Sequence, residues 1–63
     1  MFIRVTKEVA ATPVYINVNS IESIEQDGDT TIIVTNSDKW YYVRETVDDI
    51  IRTINYSNMV SVS

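Results

Sequence analysis

The sequence predicts an α+β fold: a small antiparallel meander of four to five strands, covered on one face by a single C-terminal amphipathic helix. Three observations lead there. Thr30–Thr35 (TTIIVT) and Lys39–Glu45 (KWYYVRE) are β-branched and aromatic runs joined by the short polar turn Asn36-Ser37-Asp38, which is the pattern of a hairpin. Directly after them, Val47, Ile50, Ile51 and Ile54 recur at i, i+3, i+4 and i+7, one apolar stripe on a helix. The chain has a single glycine, Gly28, between two aspartates, where positive φ carries no side-chain penalty.

The remaining elements follow in order. Phe2–Thr6 alternates, with Ile3 and Val5 on one face and Phe2, Arg4 and Thr6 on the other, as a half-buried strand does. Lys7–Thr12 breaks that pattern, and Pro13 supplies no backbone donor, so a loop or edge bend is expected. In Val14–Val18 three aliphatics share one face while Tyr15 and Asn17 share the other. Asn19 and Ser20 signal a turn because their side chains bond the local backbone. Ile21 and Ile24 are three apart, a spacing for one helical turn, so a short 3₁₀ turn is expected over 19–22. A third strand then spans Glu22–Gln26, ending in the Asp27-Gly28-Asp29 turn. Thr46, with Asp49 three residues on, reads as the helix N-cap, and Asp48 and Asp49 favour the positive end of the helix dipole. Residues 1–56 are expected to form a single domain. Residues 57–63, ending MVSVS, are expected to be a C-terminal tail or a short edge strand.

At 63 residues the chain lies near the lower limit for burying a self-sufficient core. With no cysteine and no histidine, the common disulfide and zinc staples are absent, and self-association is the remaining common route to stability. Nine acidic against five basic residues give a net charge of -4. The cations Arg4, Lys7, Lys39, Arg44 and Arg52 are scattered, which disfavours nucleic-acid binding, although Arg4, Lys39 and Arg44 could form a local patch. No run approaches the ~20 apolar residues of a membrane span, and the alternating start is unlike a signal-peptide core. The expected location is the cytoplasm, and Asn55-Tyr56-Ser57 is read as an accidental sequon.

Val5-Thr6, Tyr15-Ile16-Asn17, Ile21, Ile24-Glu25, Thr35-Asn36, Val43, Glu45-Thr46-Val47 and Ile50-Ile51 together make the chain resemble the small flagellar and swarming motility family typified by FlbD. The resemblance runs from Met1 to about Ile54. It implies a small cytoplasmic accessory or regulatory protein acting through protein contacts. Two departures stand out: Ser37 follows Thr35-Asn36 where the family carries glycine, and Lys7–Thr12 lacks the family's Leu-Asn-Gly character. A divergent relative encoded by a phage or mobile element is therefore an alternative to a motility factor. The middle and end also look like part of a LytTR-type DNA-binding domain, but the chain lacks that domain's later strands and carries the wrong charge.

Trp40, Tyr41 and Tyr42 form the one aromatic cluster. In a strand, Trp40 and Tyr42 share the face opposite Tyr41 and Val43. If the latter face the helix, Trp40 and Tyr42 remain outside, joined by Tyr15, as a subunit contact or the second face of the sheet. A sharper reading is a pocket in which Trp40 or Tyr42 stacks on a base-like group while Arg44 or Arg4 pairs with phosphate. Against it stands a structural Arg44 paired with Glu22 or Glu25 across the sheet.

Glu22, Glu25, Asp27 and Asp29 lack calcium-loop spacing and read as a solvated acidic turn, so no metal site is expected. Ser20, Ser23 and Ser37 have no histidine to activate them, and no motif makes a base of Lys7 or Lys39. The expectation is a non-enzymatic homo-oligomer without cofactor that binds a protein partner. Its alternative is a phage-type counter-defence protein sequestering a nucleotide-like small molecule or a host protein.

Overall fold

The structure is a computed structural model that describes residues 1–62, with side chains to Tyr56. Its elements are β1 (Phe2–Thr6), β2 (Pro13–Asn17), a 3₁₀ turn (Val18–Ser20), β3 (Ile21–Asp27), β4 (Thr30–Thr35), β5 (Trp40–Val43) and α1 (Val47–Val62). The α+β class and the helix packed on antiparallel strands are as the sequence predicts. The strands form two sheets, a β1–β2 hairpin and a β3–β4–β5 meander.

The sheets touch at one bridge, Lys7 opposite Val43. There the Arg44 amide donates to the Thr6 carbonyl and the Glu8 amide to the Tyr42 carbonyl, both at 2.9 Å. Beyond Glu8 the chain turns back, and the Lys7 amide donates to the Thr12 carbonyl at 2.8 Å. Ala10 and Ala11 take φ of 67° and 51° in this loop, a left-handed conformation that side chains disfavour. Pro13 is the first residue of β2, opposite Thr6, at a free edge where its missing N–H costs no ladder bond.

The transition into β3 differs from expectation. The 3₁₀ turn starts at Val18, and the Asn17 side chain caps it by accepting from the Asn19 amide at 3.0 Å. The register slips between Ile21 and Ser23. This β-bulge lets Ile21 and Ile24 both pack against the core, because an extra residue changes the parity of the strand.

The core is Ile3, Val5, Ile16, Ile33, Val43 and Ile50, bordered by Val14, Val18, Ile21, Ile24, Tyr41 and Ile54. β1, β2 and β5 supply alternate residues, β3 supplies Ile21 and Ile24 across its bulge, β4 supplies Ile33, and the helix supplies Ile50 and Ile54. Ile51 was expected in the same stripe but is 43% exposed, since the stripe is wider than the surface that the strands present. It borders a shallow depression with Asp48, Arg52, Asn55 and Tyr56. The helical backbone runs to Val62, through most of the segment expected as a tail or edge strand. Extending a formed helix costs far less than starting one, so weak alternation at Met59–Ser63 does not end it. Ser63 and the side chains beyond Tyr56 lie outside the described residues.

Candidate functional site

Three polar links hold the elements that carry the site. Glu45, just past β5, accepts from the Thr6 amide at 2.8 Å and from the Thr6 hydroxyl at 2.9 Å, which fixes the end of β1 to the start of α1. Thr46 caps the helix, accepting from the Asp49 amide at 3.1 Å. Gln26 uses both ends of its amide. Its Oε1 accepts from the Val47 amide and from the hydroxyl of buried Thr31, each at 3.2 Å. Its Nε2 donates to the carbonyls of Gly28 (3.0 Å) and Thr30 (3.3 Å).

β5 divides its side chains as alternation requires. Val43 is buried and Tyr41 half-buried against the core, while Trp40 and Tyr42 stand 59% and 49% exposed. Across β4, Trp40 lies opposite Val34 and Tyr42 opposite Ile32, so these four share the outer face. Tyr15 is 64% exposed and lies opposite Arg4 in the other hairpin. The five sequence candidates thus fall into two groups, Trp40 and Tyr42 on β5 with Arg44 just past it, and Tyr15 with Arg4 on β1–β2.

Arg44 does not pair with Glu22 or Glu25. β4 lies between β3 and β5, which removes the glutamates from cross-strand reach. Its guanidinium instead donates to the Glu8 carbonyl at 3.4 Å, and the Glu8 carboxylate accepts from the Thr30 hydroxyl. Arg44 is therefore engaged at the seam between the hairpins.

A groove of about 520 Å³ opens beside β5, lined by Lys7, Val9, Val14, Lys39, Trp40, Tyr41 and Tyr42. The β1–β2 hairpin leaves β5 after Tyr42, and the backbone groups of Trp40 have no inter-strand partner on that side among the described residues. Three aromatic side chains and two exposed lysines thus border an aliphatic patch. Such a set can stack on a flat or slim apolar group and attract carboxylate or phosphate. Lys7, Val9 and Val14 escaped the sequence reading because their proximity to β5 depends on the single Lys7–Val43 bridge, which leaves no trace in local periodicity. The only ion pair among the described residues is Arg52 with Asp49, at 3.4 Å on the exposed helix face, worth little to stability.

Among the described residues, no helix is long and apolar enough to cross a membrane. Comparison with curated proteins and with solved structures gave no match. The model of the FlbD family, flagellar and swarming motility proteins, matches residues 2–60. Several residues that carry the likeness now have a structural reason: Thr6 and Glu45 bond each other, Asn17 and Thr46 cap, and Val5, Ile16, Val43 and Ile50 are core. With nearly the whole chain covered, the protein belongs to the FlbD family of flagellar and swarming motility proteins.

Proposed function

We propose that this chain is a non-enzymatic accessory or regulatory protein that works as a homo-oligomer through protein contacts, in the motility setting its family describes. The observation that carries this reading is the uncovered outer face of β5. Trp40 and Tyr42 present large aromatic surface on a domain whose other sheet face is already filled. Aromatic residues concentrate at the cores of interfaces, and a chain this short gains stability by covering such a face. Native mass spectrometry tests it. The wild type is expected to run as a discrete oligomer and Trp40→Ala as monomer; a Trp40→Ala protein that stays assembled with unchanged melting would sink the reading.

A second reading rests on the groove itself, in which Trp40 or Tyr42 stacks on a nucleotide-like ligand and Lys7 and Lys39 meet its phosphates. The same spectrum separates the two. Extra mass lost on denaturation supports sequestration, and an unliganded oligomer supports protein contact.

A further inference from the structure

We propose that the groove beside β5 receives the Asp27-Gly28-Asp29 hairpin tip of a second copy of this chain, so that subunits join head to tail. The inference rests on the homo-oligomer reading and names the surface that covers Trp40 and Tyr42. Both halves of the contact belong to this molecule. Two of its five cations, Lys7 and Lys39, line one groove. Four of its nine acids, Glu22, Glu25, Asp27 and Asp29, lie on β3 and its turn, all of them exposed. An acidic chain that places lysines around aromatic walls and carboxylates on a projecting tip carries complementary charge on two separate patches. Complementary charge of this kind orients and selects a partner.

The tip is shaped for entry. Asp27 pairs with Thr30 across a two-residue turn, Gly28 has φ of 61°, and a Cβ built on it would meet nothing within 4 Å. The apex at Gly28 is therefore open on its side-chain side and slim, with one carboxylate on each side of it. Gln26 holds its form through the Gly28 and Thr30 carbonyls, so little ordering remains to be done on binding. Within one subunit the tip is held away from the Trp40 end of the groove. β4 runs from Thr30 beside the tip to Val34 opposite Trp40, a separation of roughly 13 Å at the rise of a strand. A contact between unlike patches is heterologous, closing as a ring or extending as a filament.

Charge reversal in two separate proteins tests this. One carries Lys7→Glu with Lys39→Glu, the other Asp27→Lys with Asp29→Lys; all four sites are exposed, and circular dichroism checks that both variants fold. Each alone is expected to sediment as monomer, its association weakened roughly tenfold or more by facing like charges. Mixed in equal amounts, they are expected to assemble, because every groove then finds a tip of opposite sign. Wild-type assembly is also expected to loosen as salt rises. Variants that each assemble like wild type, or a mixture that stays monomeric, would overturn the head-to-tail contact while leaving the homo-oligomer reading standing. A wild type that is itself monomeric at micromolar concentration would overturn both.

Discussion

The two sides of β5 are in unlike states. On the inner side, Val43 is fully buried beside Ile33 of β4, under Ile50 of α1. On the outer side, Trp40 and Tyr42 lie against Ile32 and Val34 and stay about half exposed among the described residues. The same four-residue strand thus finishes one surface and leaves the other open. The helix and the β1–β2 hairpin together close the inner face of the three-stranded sheet, and no second helix lies on the other face among the described residues. Stability should accordingly depend on the inner side and association on the outer.

Four substitutions probe that contrast, beginning with the largest effect on stability. Ile33→Ala removes a fully buried side chain and should cost about 2–5 kcal/mol in urea unfolding; a loss under about 1 kcal/mol would mean that the inner side is not the stabilising one. Glu45→Ala leaves the Thr6 amide and hydroxyl without their acceptor and should cost about 1–3 kcal/mol. In a double-mutant cycle with Thr6→Val the two losses should overlap, and strict additivity would show that the link carries no energy. Ala11→Gly relieves a left-handed alanine and should stabilise by about 0.5–1 kcal/mol; a lower melting point would contradict that loop geometry. Trp40→Ala should change the stability of the isolated monomer least, within about 0.5 kcal/mol, while changing its sedimentation most. A large loss of monomer stability would place Trp40 in the core's service and dissolve the contrast.

Local periodicity made most of the fold legible. β1 and β4 lie where alternation and β-branching put them, and the Thr46 cap and the Val47 start follow from residue chemistry alone. What was illegible depends on contacts distant in sequence. The bulge that brings Ile21 into line with Ile24 is a property of pairing with β4. The exposure of Ile51 depends on how wide a surface the strands present to the helix. The split of one expected meander into two sheets depends on where the hairpin departs from β5. At the site, the outward direction of Trp40, Tyr42 and Tyr15 was readable from parity. Arg44's partner was not, because pairing it with Glu22 or Glu25 assumed neighbours that the strand order separates. Ala10, Ala11 and Asp38, at φ of 67°, 51° and 63°, take a left-handed conformation without glycine, at a backbone cost that no local pattern announces.

The clasp between Thr6 and Glu45 spans 39 positions of sequence, whereas β3, β4, β5 and α1 follow one another without interruption. In synthesis from N to C terminus, the β1–β2 hairpin therefore waits for partners that follow it in the chain, Val43 and Glu45. Closing near neighbours first is also the faster route for a released chain. Pulse-labelled hydrogen exchange during refolding should show the β4 amides protected before that of Thr6; simultaneous protection would mean that the two hairpins form as one unit.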